Sequence, residues 1–127
     1  MKPLRIMPTS DCPNVIFDKE AGIFEISGVS IPENVKKFFS PIFTWTEEYI
    51  QNPNPFTLIE IKLTYCNSAT LKILSLLIDT FEKILEKRKR VLLHWYHFPE
   101  DEDMINIGKE LAEMTDIPVE FHLLAKT

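Results

Sequence analysis

The chain has 127 residues, 45% of them hydrophobic and 26% charged, with a formal net charge of -5. That length suits a single domain over residues 1–127, which can bury enough apolar surface to hold together without a metal or a disulfide. The acidic balance excludes unaided nucleic-acid binding, which needs a basic stripe, and no apolar run is long enough to insert in a bilayer.

No secretory leader is read at the start, where Met1-Lys2-Pro3-Leu4-Arg5 is followed by Pro8, Asp11 and Pro13. The two cysteines, Cys12 and Cys66, carry no disulfide pattern, so a cytoplasmic location is expected. Val15-Ile16-Phe17 and Gly22 to Gly28 read as short strands, joined by the polar turn Asp18 to Gly22 into a hairpin. Ser30-Ile31-Pro32-Glu33 reads as a helix start. Val35, Phe38, Phe39, Ile42, Trp45, Tyr49 and Ile50 then recur at helical spacing, and Pro41 predicts a kink or break near Ser40. Asn52-Pro53-Asn54-Pro55 is a turn, and Phe56 to Tyr65 alternates as a long central strand.

Cys66-Asn67-Ser68-Ala69-Thr70 leads into a helix whose broad apolar face carries Leu71, Leu74, Leu77, Ile78, Phe81, Ile84 and Leu85. The basic run Lys83, Lys87, Arg88, Lys89, Arg90 falls where that helix should end, as expected of cations complementing its dipole. Val91 to Tyr96 is a strand, Pro99 to Asp103 opens a helix continuing through Met114, and Pro118 to Leu124 closes as a strand. The order is β-β-α-β-α-β-α-β. Strands alternating with helices imply a mainly parallel sheet, here with an antiparallel edge hairpin.

The junction Tyr65 to Lys72 is the most informative stretch. A strand entering a helix through a short turn is where open α/β sheets present functional groups. Asn67 is placed to cap the helix, and Ser68 and Thr70 fall in its first turn among unpaired N–H groups. A phosphate on Ser68, or on Thr70 as second candidate, would be accommodated there, with Lys72 one turn along. On local physics alone the plainer reading, that Asn67 and Ser68 only cap, is the favoured one, since polar caps are common. The acidic run Glu100 to Asp103 lacks the spacing and glycine of a calcium loop and fits a helix start. No glycine-rich phosphate loop or zinc-type cysteine pair occurs, so neither cofactor nor metal is expected. An enzyme using Cys66 with His94 or His97 lacks any nucleophile signature. Of Trp95 and Tyr96, alternation turns one inward and leaves the other free as a partner anchor.

Several short patterns occur together in order: Thr9-Ser10-Asp11-Cys12-Pro13, Gly28-Val29-Ser30-Ile31-Pro32-Glu33-Asn34, Phe39-Ser40-Pro41-Ile42 with Trp45 and Tyr49, Tyr65 to Lys72, Trp95-Tyr96, and Glu102-Asp103-Met104 with Gly108. From about Thr9 to Phe121 the chain resembles the SiaC family of bacterial biofilm-regulation phosphoproteins. The resemblance implies a STAS-like fold, similar to anti-sigma-factor antagonists, and no catalysis by the chain itself. It implies three partners: a Ser/Thr protein kinase, a PP2C-type phosphatase, and an effector such as a diguanylate cyclase, regulated by the unphosphorylated form. The family acceptor follows the junction asparagine in an Asn-Thr-Ser-Ser pattern, and here Asn67-Ser68-Ala69-Thr70 puts Ser68 at that place. Tyr96, Glu100 and Asp101 are the expected partner-contacting residues, and a constitutive interaction scaffold is the alternative.

Overall fold

Alternating apolar side chains make the strands, and the computed structural model, which describes residues 1–125, arranges them in one six-stranded sheet of order β1-β2-β3-β4-β5-β6. The strands are β1 (Leu4–Ile6), β2 (Asn14–Asp18), β3 (Ile23–Ser30), β4 (Phe56–Cys66), β5 (Arg90–His97) and β6 (Val119–Leu123). The helices are α1 (Val35–Tyr49), α2 (Ser68–Glu82) and α3 (Glu102–Met114), with a 3-10 turn over Lys83–Lys87 after α2. β1, β2 and β3 pair antiparallel, and β3 through β6 pair parallel. The mainly parallel sheet with an antiparallel edge is as the sequence implies, with β1 as an additional strand. β1 shows no pattern of its own. It forms because Leu4, Arg5 and Ile6 find Phe17, Ile16 and Val15 beside them.

The three helices share one side of the sheet. Val15, Phe17, Phe24, Ile26, Ile59, Ile61, Leu63, Leu93 and Trp95 point from the strands into a single core with Phe39 and Ile42 of α1, Leu74 and Phe81 of α2, and Met104 and Leu111 of α3. Residues of opposite parity, among them Glu25, Glu60, Lys62, His94 and Tyr96, are only half-buried. The helix layer thus leaves a polar sheet face open.

Three local expectations are corrected. The first helix does not begin at Ser30, which is fully buried at the end of β3 and paired with Cys66. Asn34 caps α1 instead, accepting from the Lys37 N–H at 3.1 Å. Of the kink or break expected near Ser40, the break does not occur: α1 runs continuously past Pro41. Its ring is on the exposed side, so the carbonyl deprived of a donor faces water. The basic run does not fall in the last turn of α2, which holds no basic residue; instead Lys87 Nζ donates to the Gln51 carbonyl at 3.2 Å and Lys89 Nζ to that of Pro53 at 3.3 Å, just beyond α1.

Gly28 adopts φ +96°, a conformation side chains resist, where the β3–β4 register shifts. The shift carries β3 onward to Ser30, beside the start of α2.

Candidate functional site

β4 ends at Cys66, and α2 begins two residues later at Ser68. Asn67 makes the turn: its N–H donates to the Ser30 carbonyl at 3.2 Å, and its Oδ1 accepts from the Thr70 N–H at 2.9 Å. That side-chain bond satisfies one of the helix's orphan donors, so Asn67 is the cap. Ser68 is not. It is exposed, and its hydroxyl makes no hydrogen bond among the described residues. Lys72, one turn on, is exposed as well.

Thr70 differs completely from Ser68. It is 0% exposed, with its Oγ1 3.1 Å from the Ser30 carbonyl oxygen and 2.9 Å from the Ser30 hydroxyl. With the Thr70 proton given to the carbonyl, the Ser30 hydroxyl donates to Thr70 in return. The pair ties the first turn of α2 to the end of β3. As second candidate acceptor, Thr70 therefore has a buried and committed oxygen.

Beside the junction a groove runs between the end of β4 and α3, lined by Thr64, Tyr65, Cys66, Asp101, Asp103 and Glu110 among others. Tyr65 has the parity of the buried Ile61 and Leu63, and the alternation places it with them. It is nevertheless 59% exposed. At the β3–β4 register shift Leu63 lies opposite Gly28 and Tyr65 opposite Val29, so Thr64 is an extra residue. The alternation slips by one, and Tyr65 turns to the open face while Cys66 turns back to the core beside Ser30. An aromatic ring is thus displayed close to Ser68, a feature the alternation conceals.

Cys66 packs its Sγ 3.9 Å from Met104 Sδ. Burial foremost, then the nearby Asp101 carboxylate, pushes its thiol up to about 11. A thiol so rarely ionised is a poor nucleophile. His94 lies on the open face, across the sheet from Met104, and His97 is buried with Nδ1 2.8 Å from the Phe98 carbonyl oxygen.

Asp101 comes to the junction, lining the groove, and its Oδ1 caps α3 by accepting from the Met104 N–H at 3.2 Å. Glu100 beside it is exposed. Trp95 turns inward, 0% exposed, and donates from Nε1 to the Met104 carbonyl at 2.8 Å. Tyr96 turns to the open face, where its hydroxyl donates to Glu60 at 2.8 Å. Burial, then that hydrogen bond, raises its phenol above the usual range. The structure therefore gathers Ser68, Asn67, Lys72 and Asp101 around one end of the sheet, while Tyr96 faces another surface. Among the described residues no helix is long and apolar enough to cross a membrane.

The description "SiaC family regulatory phosphoprotein" matches residues 6–125. A protein of Pseudomonas aeruginosa strain UCBPP-PA14 is 25% identical over 118 residues, covering 93% of this chain and 94% of that one. SiaC of Pseudomonas aeruginosa has a similar fold, with TM-score 0.87 at 22% identity over 98% of this chain and 100% of that one. A second structure, of the diguanylate cyclase SiaD in complex with its activator SiaC from the same organism, matches with TM-score 0.87 at 23% identity, covering 95% of this chain and 99% of that one. Matched over residues 6–125, the chain belongs to the SiaC family of regulatory phosphoproteins and so stands among regulators rather than enzymes.

Proposed function

We propose that this protein is a phosphorylation-controlled binding switch of the cytoplasm. A Ser/Thr protein kinase esterifies Ser68, a PP2C-type phosphatase removes the phosphate, and the unmodified form docks on and regulates an effector of the diguanylate cyclase class. The observation that carries this reading is the exposed, unengaged Ser68 hydroxyl at the first turn of α2, one residue after the asparagine that does the capping. Family membership supports it, as does the SiaD complex of the related SiaC.

Phosphorylation adds about -1.5 to -2 charges. At a helix start, outward N–H groups and the dipole receive an anion, so α2 stays folded. The consequence falls on the neighbouring surface: Tyr65, and the groove edge with Asp101, Asp103 and Glu110. There a dianion joins existing carboxylates. A partner that covers this surface must desolvate the added charge, which costs several kcal/mol unless it is paired, or about a hundredfold or more in affinity. Phosphorylation of Thr70 would instead require the Ser30–Thr70 contact to open.

The test is labelling by the cognate kinase of wild type, Ser68→Ala and Thr70→Val. Label should vanish in Ser68→Ala and persist in Thr70→Val. Full labelling of Ser68→Ala overturns the site. A pull-down of the cyclase with unmodified and phosphorylated protein tests the switch, and equal capture by both forms ends it.

A further inference from the structure

The open face of the sheet carries a cluster unrelated to the junction. Parallel pairing of β5 with β6 sets His94 beside Glu120 and Tyr96 beside His122, and alternation turns all four to the same side. Nε2 of His94 lies 3.5 Å from Oε1 of Glu120, and Nε2 of His122 lies 3.6 Å from that same oxygen. The three atoms all lie within 4.8 Å of one another, and the imidazole rings are 4.1 Å apart. Both Nε2 atoms are shut off from solvent without a hydrogen-bond partner among the described residues. Such groups in a native protein need an explanation.

An N–H···O bond would be shorter than these separations. They fit a shared ion better: two ligands at about 2.0–2.1 Å from one metal, at tetrahedral or slightly wider angles, stand about 3.3–3.6 Å apart. We propose that His94, Glu120 and His122 form a site for a divalent transition-metal ion of the zinc class. Two imidazoles and one carboxylate favour zinc, cobalt or nickel over magnesium or calcium, which take all-oxygen shells.

The surroundings suit that role. Nδ1 of His94 faces Oε2 of Glu60 at 4.0 Å, and Glu60 is held by the Tyr96 hydroxyl at 2.8 Å and by Lys62 at 3.8 Å. Metal-binding imidazoles commonly direct their far nitrogen to a carboxylate, which fixes ring orientation and tautomer. The Tyr96 ring stacks on His122, with centroids 5.2 Å apart and planes at 27°. The ion would tie β6, the edge strand, to β5 through side chains in addition to the ladder. Ligands from neighbouring strands meet only through the sheet register, so no compact sequence motif announces them.

The test uses the untagged full chain, stripped with chelator and titrated with zinc chloride by calorimetry and with cobalt chloride by visible absorption. One saturable site per chain, visible cobalt bands of low symmetry, and a higher melting temperature with zinc but not magnesium are expected. The double variant His94→Gln/His122→Gln should bind zinc at least about 100-fold more weakly, and Glu60→Gln about 10–100-fold more weakly. Should the double variant fold poorly, His122→Asn alone, half-buried on the edge strand, should also lose the cobalt bands. Cys12→Ser/Cys66→Ser should bind zinc like wild type. Absence of saturable binding by wild type overturns the site, as does undiminished binding by the histidine variants.

Discussion

Replacing Thr70 by valine keeps the shape of the side chain and removes only its hydroxyl. In the folded chain that hydroxyl lies 2.9 Å from the Ser30 hydroxyl and 3.1 Å from the Ser30 carbonyl oxygen, with both residues 0% exposed. The carbonyl still accepts from the Asn67 N–H at 3.2 Å, so the group left stranded is the Ser30 hydroxyl. A buried polar group without a partner costs about 1–3 kcal/mol. For a chain this long, about 4 °C of melting temperature corresponds to each kcal/mol, so Thr70→Val should melt about 4–12 °C lower. Ser68→Ala, two residues away but exposed, should stay within about 0.5 kcal/mol of wild type. Ser30→Ala/Thr70→Val removes both partners together and should cost less than its two single changes summed. Thermal melts and urea unfolding of the four variants with wild type measure all of this. If Thr70→Val and Ser68→Ala were equally stable, the Thr70 hydroxyl would not be sealed as described, and the reason for preferring Ser68 as acceptor would fail.

Gly108→Ala should destabilise by about 1–3 kcal/mol, through overpacking. An added Cβ would lie 2.6 Å from Trp95 Cδ1 and 2.7 Å from Phe121 Cε2, and urea unfolding reads the loss. Cys66, with its thiol pushed up to about 11, should alkylate slowly at neutral pH and speed up about tenfold per pH unit toward that value. Peptide mapping after iodoacetamide checks this, and rapid labelling at neutral pH would contradict the buried setting. Glu82 is held below the usual carboxylate range, first by the Asp116 N–H and then by the Thr115 hydroxyl. A lowered folded-state value gives stability that is present above the unfolded carboxylate range and lost as pH falls through the folded one. Glu82→Gln should therefore melt below wild type near neutrality, with the difference closing in acid. A difference that persists unchanged at low pH would remove the ionic origin.

Much of the fold was legible because it follows from local periodicity. The alternation from Phe56 to Tyr65 marks the central strand, and the helical spacing of Val35 to Ile50 and Leu71 to Leu85 marks the helices that cover it. Asn67 reads as a cap because its short amide reaches a first-turn N–H wherever that helix packs. The position of Ser68 next to it is likewise a property of the chain.

What lies beyond the neighbouring few residues was not legible. Ser30 reads as a helix start until β3 is seen to continue to it and Thr70 to close over it. Tyr65 alternates with the core in the sequence yet stands exposed, because a bulge against β3 at Thr64 shifts the alternation by one residue. Composition and spacing thus determined the elements, their order and the cap at the second helix. Only the sheet register, which joins residues far apart in the chain, decided which hydroxyl of that first turn meets solvent and that His94, Glu120 and His122 converge on one point. Local propensity acts over a helical turn or a strand repeat, whereas burial is a property of the packed whole.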